Sequence, residues 1–120
     1  MNRLAGSVSL HPYFKVNSGQ MEAVKLLLKE FVTRANAEEG LLYYEFTLNG
    51  DEVFCREAYV DAMAALTHLA NVGEQLQAML ALSSLIRLEI HGRAAELDQL
   101  RGPLGAFNPA WFILECGVAA

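Results

Sequence analysis

The sequence predicts an α+β fold in which helices cover one face of an antiparallel sheet. Two kinds of periodicity indicate it. Short stretches in which apolar and polar residues alternate are typical of half-buried strands, and longer stretches with apolar residues three or four positions apart are typical of amphipathic helices. A hairpin signal joins the second and third alternating stretches, so these two strands are expected to pair antiparallel. At 120 residues the chain has the length of one domain, and we expect a single domain over 1–120.

Composition and charge exclude several classes of protein. The chain is 53% hydrophobic and 19% charged, which is typical of a folded soluble protein. A net charge of -5, with Lys and Arg scattered along the chain, argues against nucleic acid as a partner. No apolar run has the roughly 18 residues of a membrane span, and the N-terminus lacks the apolar segment of a secretory signal. We therefore expect a cytoplasmic protein that does not bind membranes, in which Cys55 and Cys116 are free thiols.

A strand and a helix are predicted at the start of the chain. Apolar and polar residues alternate over 7–16, and Pro12 within this strand indicates an edge position or a bulge, because proline has no amide hydrogen. Asn17 or Ser18 is the expected N-cap of the helix that follows, and Gly40 its expected C-terminal stop. The apolar residues with helical spacing are Met21, Val24, Leu27, Leu28, Phe31 and Ala35.

A β-hairpin is predicted next, with strands at 41–48 and 52–60. Asn49 and Gly50 lie between these strands, and this dipeptide is the strongest short signal for a type I′ turn, in which both central residues have positive φ. The hairpin is followed at once by a helix, for which Asp61 is the expected N-cap.

The second half of the chain is predicted to hold one more core strand and an extension. Gly73 is expected to break the helix that begins after Asp61, before a second apolar piece at 76–82. A strand follows at 85–91, with Ile86, Leu88 and Ile90 on one face and Arg87, Glu89 and His91 on the other. The order up to this point is the split βαβ arrangement of ferredoxin-like folds, which leaves one sheet face uncovered in a monomer.

The last part of the chain reads as a short helix at 94–100, a Gly- and Pro-rich loop at 102–109 and an apolar strand at 110–116. A strand, a helix and a strand of this length suit either a crossover to a parallel neighbour in the same sheet or an arm that reaches another subunit. The sequence leaves both arrangements open.

Three side chains that could take part in catalysis or binding share one face of the third strand. Cys55, Glu57 and Tyr59 have the same parity, so their side chains leave the sheet together. If this face meets the helix that carries His68, a carboxylate, a phenol and an imidazole converge on one pocket, where the imidazole can act as a general base. The alternative is that Glu57 and His68 only satisfy each other beneath a structural helix, since buried polar groups are usually paired.

Other candidate residues favour structural roles. Tyr44 is a packed core ring more often than a donor to substrate, and Cys55 is a small buried thiol more often than a nucleophile. Three histidines without ligand spacing predict no metal site. His11 and His91 lie on polar strand faces. The chain contains no dinucleotide fingerprint, P-loop or nucleophile elbow.

Three segments carry a family resemblance: EEGLLYYEF at 38–46, REAY at 56–59 and DAMAALTHL at 61–69. Residues 5–92, which contain them, resemble the antibiotic biosynthesis monooxygenase-like domain of the dimeric α/β-barrel superfamily. That family has a Tyr-Glu pair on one strand, a Glu-x-aromatic pair at the end of the next and an Ala-Leu-x-x-His helix. The matching residues are Tyr44-Glu45, Glu57-Ala58-Tyr59 and Ala65-Leu66-Thr67-His68, with the histidine one position early and Tyr59 where Trp is common. Residues 93–120 form a helix–strand extension outside the shared domain.

The resemblance implies a homodimeric barrel and a cofactor-independent monooxygenase of a small aromatic or quinol-like metabolite. In this hypothesis His68 is the base, Glu57 orients it, and Tyr44, Tyr59 and Cys55 bind the substrate. The alternative is a non-catalytic dimeric barrel that binds a small apolar ligand. Haem is less favoured, because the haem-degrading members use an Asn on the first strand and a buried Trp. Here Asn17 comes too late and Trp111 lies in the extension, so we expect no cofactor.

Overall fold

The structure is a computed structural model that describes residues 4–118; residues 1–3 and 119–120 of the expected domain lie outside the described range. Its strands and helices follow in the order β1 (Val8–Val16), α1 (Met21–Ala35), β2 (Leu41–Asn49), β3 (Glu52–Tyr59), α2 (Ala62–Asn71), α3 (Gly73–Leu82), β4 (Ser83–Gly92), α4 (Ala94–Leu104) and β5 (Ala110–Ile113). A short 3₁₀ turn, Gly105–Phe107, joins α4 to β5. Over the described residues, no helix combines the length and apolar character needed to cross a membrane.

The strands form one mixed sheet in the order β2-β3-β1-β4-β5. Neighbours among the first four strands pair antiparallel, whereas β5 pairs parallel with β4. The prediction of an α+β, ferredoxin-like fold is therefore confirmed. The choice left open for the last strand is also decided, because β4, α4 and β5 form a crossover to a parallel neighbour within the same chain.

The core lies between the sheet and the helices, in two clusters of buried residues. One cluster joins β1, β3 and β4 to α2 and α4, and Tyr59, Ile90, Leu97 and Leu100 are its largest fully buried members. The other joins β1 and β3 to α1 and α3, and Val24, Val53 and Met79 are buried within it.

The hairpin turn lies one residue later than predicted. Asn49 still pairs with Glu52, so Gly50 and Asp51 are the central residues, and of these Gly50 alone has positive φ, at 60°. The predicted type I′ turn centred on Asn49 and Gly50 is wrong. Inward-facing residues such as Val53 fix the register of the two strands, and this register places glycine at the first central position, as in type II′ turns.

Pro12 lies in the central strand β1, so the predicted edge position is wrong. The predicted irregularity is present, because the register of β1 against β4 shifts directly after Tyr13. The shift leaves Ile86 as an extra residue on β4, and its side chain is 51% exposed, while Leu88 and Ile90 are buried. The expected common face of these three residues is therefore wrong, because a bulge reverses strand parity at that point.

Both predicted ends of α1 differ from the structure. The helix begins after Gln20, whose side chain makes no capping bond, so neither Asn17 nor Ser18 is the N-cap. It ends at Ala35, and Gly40 lies beyond it, directly before β2. Gly40 is needed there for a different reason: a Cβ added to it would lie 2.5 Å from the Cβ of Ala64 on α2. This glycine therefore permits a close approach between β2 and α2 and does not terminate a helix.

The extension contains a longer helix and a shorter strand than expected. The predicted helix at 94–100 continues to Leu104, through the Gly102–Pro103 pair that was expected to be loop. Leu97, Leu100 and Leu104 are all buried, so a continuous apolar stripe outweighs a proline in the last turn, where only one backbone hydrogen bond is lost. The strand β5 ends at Ile113, three residues before the predicted end.

Candidate active site

The strand β3 presents the predicted group of side chains to the helices. Cys55, Glu57 and Tyr59 are all buried, whereas Arg56 between them is exposed and lies 3.6 Å from Glu45 on β2. The Tyr59 hydroxyl donates a hydrogen bond of 2.7 Å to Glu57 Oε1. The predicted parity of the three residues is therefore confirmed, and the carboxyl of Glu57 is held by a phenol from its own strand.

The helix α2 brings His68 over this face of the sheet. Asp61 is the N-cap as predicted, since its Oδ1 accepts a 2.8 Å hydrogen bond from the Ala64 amide. Seven residues after the cap, His68 is 2% exposed and its Nε2 lies 3.9 Å from Glu57 Oε1. That is the distance of an ion pair and not of a hydrogen bond. The imidazole and the carboxyl are thus neighbours, but Glu57 is not the residue that orients His68.

Glu38 holds the imidazole instead. His68 Nδ1 lies 2.8 Å from Glu38 Oε2 and 3.0 Å from Oε1, and because a carboxylate only accepts, Nδ1 is the donor. Asn71 Nδ2 donates to the same Oε2 at 2.7 Å and to the backbone oxygen of Arg34 at 3.0 Å. The carboxylate of Glu38 is therefore fixed from two sides, and the lone pair of His68 is left on Nε2, facing Glu57.

The sequence did not predict a role for Glu38 in the site. Glu38 belongs to the segment at 38–46 that carries the family resemblance. A signal was present, because Glu38 and Glu39 follow a helix whose C-terminal end carries partial negative charge, and acidic residues are unfavourable there. A carboxylate at such a position has to be stabilised by another interaction. For Glu38 this interaction is the contact with His68 on the next helix. Only the tertiary structure shows which histidine it is.

A cavity opens beside these groups, between the sheet and the helices. Its free volume is about 60 Å³, and about 610 Å³ of space is unoccupied when the open mouth is included. Tyr44, Cys55, Glu57 and His68 line it, whereas Tyr59 does not and lies behind Glu57. The remaining lining side chains are apolar: Leu10, Pro12, Phe14, Phe31, Phe46, Leu69, Val72, Leu76, Met79, Leu85, Leu88, Leu104 and Phe107.

Burial controls the protonation of the cavity groups. Burial raises the pKa of Glu57, and this effect outweighs the opposing attraction of His68 and the hydrogen bonds from Tyr59 and Cys55. Burial likewise raises the pKa of Tyr44, Cys55 and Tyr59, so these three groups stay neutral. A thiol whose pKa is raised in this way is a poor nucleophile, so Cys55 serves as a hydrogen-bonding wall residue.

The arrangement places an imidazole and a carboxyl group together in a largely apolar pocket. Glu38 holds Nδ1 of His68, so Nε2 is the ring nitrogen that faces Glu57, whose neutral form is favoured by burial. Their separation of 3.9 Å allows both to contact one substrate group. Electrostatic interactions are stronger in apolar surroundings than in water.

The other two histidines lie on the opposite face of the sheet. The rings of His11 and His91 are 4.5 Å apart, and each bonds to a residue of its own strand, Ser9 and Glu89 respectively. Burial, then the nearby His91, lowers the pKa of His11. Among residues 4–118, no three His, Cys, Asp or Glu side chains are placed to hold a metal ion.

Comparison with solved structures identifies similar proteins. MupZ from Pseudomonas fluorescens is 38% identical, with a TM-score of 0.89, over 95% of this chain and 94% of that chain. A protein from Bacteroides thetaiotaomicron VPI-5482, described as a possible oxidoreductase, is 20% identical, with a TM-score of 0.65, over 72% and 96% of the two chains. A protein from Chloroflexus aurantiacus J-10-fl, named as a candidate antibiotic biosynthesis monooxygenase, is 18% identical, with a TM-score of 0.60, over 70% and 89%.

These similarities define the class of protein. The two more distant neighbours share the fold, and MupZ shares both fold and sequence over nearly the whole length of each chain. The chain belongs to the same family as MupZ, and its fold is that of the antibiotic biosynthesis monooxygenase-like domain. No protein-family model and no curated protein sequence matches it.

Proposed function

We propose that this protein is a cofactor-independent monooxygenase of a small aromatic or quinol-like metabolite. The observation that carries the proposal is the orientation of His68, which Glu38 holds at Nδ1 so that Nε2 points its lone pair into an apolar cavity. The name of the Chloroflexus neighbour supports the same class of reaction. A substrate that supplies its own electrons needs a base and hydrogen-bond donors from the protein, and His68, Glu57 and Tyr44 line this cavity.

In this mechanism His68 Nε2 removes a proton from the substrate. The resulting anion reduces dioxygen, and a carbon that carried two hydrogens becomes a carbonyl, while the second oxygen atom leaves as water with those hydrogens. Glu38 and Asn71 hold the imidazole in the required tautomer. Glu57, whose pKa is raised by burial, donates a hydrogen bond to the substrate oxygen in its neutral form, and the Tyr59 hydroxyl holds the Glu57 carboxyl group in position. Tyr44 and Cys55 line the pocket beside it.

Oxygen uptake tests this proposal. A panel of anthrones and quinols is assayed with the wild type, with His68→Gln, and with His91→Gln as the matched control on the opposite sheet face. Loss of the base is expected to lower kcat by about 10²- to 10⁴-fold, with little change for the control. Equal rates for wild type and His68→Gln would remove the imidazole from the mechanism. No turnover on any substrate would favour the alternative of a non-catalytic protein that binds a small apolar ligand.

A second candidate function is a proton-transfer reaction without oxygen, and the raised pKa of Glu57 favours it. A carboxyl whose pKa is raised by burial is a ready general acid, and a base lies 3.9 Å away. Exchange of hydrogen for deuterium next to the carbonyl of small apolar ketones, followed by NMR in D₂O under argon, separates the two candidates. Exchange that depends on both Glu57 and His68, with no oxygen uptake on any quinol, would favour this second reaction.

A further inference from the structure

The extension supplies part of the cavity wall. Leu104, at the end of α4, and Phe107, in the following 3₁₀ turn, both line the cavity that contains Glu57 and His68. Leu104 is 3% exposed and also belongs to the core cluster around Tyr59. Phe107 is 37% exposed, whereas the other lining residues are buried or half-buried. Phe107 therefore lies at the solvent side of the cavity.

Phe107 is held from both sides. Before it, α4 is anchored to the core by its buried stripe of leucines. After it, Asn108 adopts a left-handed conformation, with φ 51° and ψ 55°, which turns the chain into β5. Asparagine tolerates this conformation better than most residues. The strand then pairs with β4 from Ala110 onward. The backbone position of Phe107 is therefore set by the elements on either side of it.

The family resemblance leaves this wall outside the shared domain. The distant neighbours match 72% and 70% of this chain while covering 96% and 89% of their own length. The unmatched part of this chain is therefore at least as long as residues 93–120. MupZ, in contrast, matches 95% of the chain. Proteins that share a fold but differ in one wall of the cavity can bind different substrates.

We propose that Phe107 is a specificity-determining residue, whose ring closes the solvent side of the catalytic cavity and limits the length of the apolar group that a substrate carries. The inference rests on the proposed function, because it assumes that this cavity binds the substrate. Glu57 and His68, at 5% and 2% exposure, hold the polar group at the inner end. An apolar substituent then extends along the apolar walls toward Phe107, and its length decides whether it meets the ring.

A series of 4-alkylphenols, from methyl to octyl, measures this limit by isothermal titration calorimetry. Each buried CH₂ is expected to strengthen binding about fourfold, which corresponds to about 0.8 kcal/mol, until the alkyl substituent reaches the Phe107 ring. Phe107→Ala should extend the increase to longer chains by two or more carbons, and Phe107→Trp should end it earlier. Leu26→Ala, on the exposed face of α1 and outside the cavity lining, is the control and should keep the wild-type limit.

The outcomes separate this inference from the proposed function. The same chain-length limit in wild type and both Phe107 variants would overturn the role of the ring while leaving the function intact. A shifted limit together with no oxygen uptake on any quinol would uphold the role of the ring and contradict the monooxygenase. Absence of binding by every member of the series would contradict both. A shift of equal size in Leu26→Ala would also overturn the inference, because the effect would then not come from the cavity.

Discussion

Glu57 is the residue of the site whose protonation depends most directly on burial. A carboxyl group that is 5% exposed is costly to ionise, and Tyr59 reduces that cost by donating a 2.7 Å hydrogen bond. The nearby imidazole of His68 also attracts the charged form, yet burial outweighs both effects and the pKa of Glu57 is raised. The site therefore places a carboxyl group with a raised pKa beside an imidazole. Ionisation of this carboxyl group lowers the stability of the folded state.

That cost predicts how stability depends on pH. In the unfolded chain a glutamate has a pKa of about 4.3. Because the folded-state pKa of Glu57 is raised, its contribution to stability is fully present below about pH 4 and is lost as the pH rises through the folded-state pKa. The stability of wild type relative to Glu57→Gln should therefore fall with rising pH, by at most about 1.4 kcal/mol per pH unit. Urea unfolding of both proteins at several pH values measures this difference.

Glu52→Gln is the matched control for this measurement. Glu52 lies on the same strand but is exposed, so its replacement should leave the pH dependence of wild type unchanged. A difference between wild type and Glu57→Gln that stays constant from pH 4 to pH 8 would show that the folded-state pKa of Glu57 is not raised.

At the scale of elements, α2 determines the geometry of the site because it carries His68. Three contacts fix its position. Asp61 caps it, Glu96 Oε1 from α4 accepts a 2.9 Å hydrogen bond from the Ala62 amide, and the absent side chain of Gly40 allows Ala64 to approach β2 closely. The helix α4 thus supports the helix that carries His68.

Replacing Gly40 by alanine tests the close approach. The added Cβ would lie 2.5 Å from Ala64 Cβ, so α2 or β2 has to move, and we expect the free energy of unfolding to fall by about 1–3 kcal/mol. Gly73→Ala is the matched control, because a Cβ at Gly73 meets nothing within 4 Å and the residue begins α3. That variant should be stabilised by up to about 1 kcal/mol. Equal effects of the two substitutions in urea unfolding would disprove the steric role of Gly40.

For the whole molecule, the open face of the sheet is the dominant surface feature. Its rings contact one another across four strands. Tyr13 and Phe54 lie 4.6 Å apart, His11 and His91 lie 4.5 Å apart, and Phe112 stacks on His91 at 4.5 Å. We propose that a second copy of the chain covers this face, as the dimeric α/β-barrel resemblance implies. Burial of such a surface provides the hydrophobic driving force for association.

A charged residue in the centre of this face should separate the two copies. We expect the wild type to sediment as a dimer at micromolar concentration and Phe54→Asp to sediment as a monomer, because burying an unpaired carboxylate costs several kcal/mol. Leu26→Asp is the matched control, since Leu26 is 65% exposed on α1, away from the sheet. It should remain dimeric. A wild-type mass of one subunit would contradict the homodimer, and dissociation of both variants would place the interface elsewhere.

Local patterns in the sequence determined most of the elements and one face of the site. Alternation placed Cys55, Glu57 and Tyr59 together, because strand parity is a local property. The cap at Asp61 and the break at Gly73 depend on neighbouring residues only, and both are present in the structure. Motifs within 38–69 were enough to indicate the family.

The tertiary structure decided what depends on contacts between distant residues. The partner of His68 is Glu38, thirty residues earlier, and no local pattern links the two. The hairpin turn and the bulge at Ile86 follow from the register between strands, which each strand's own sequence leaves open. The strand β5 joined the same sheet because buried leucines extended α4 past Pro103 and returned the chain beside β4. Periodicity specifies which face of an element is buried, whereas packing decides what that face meets.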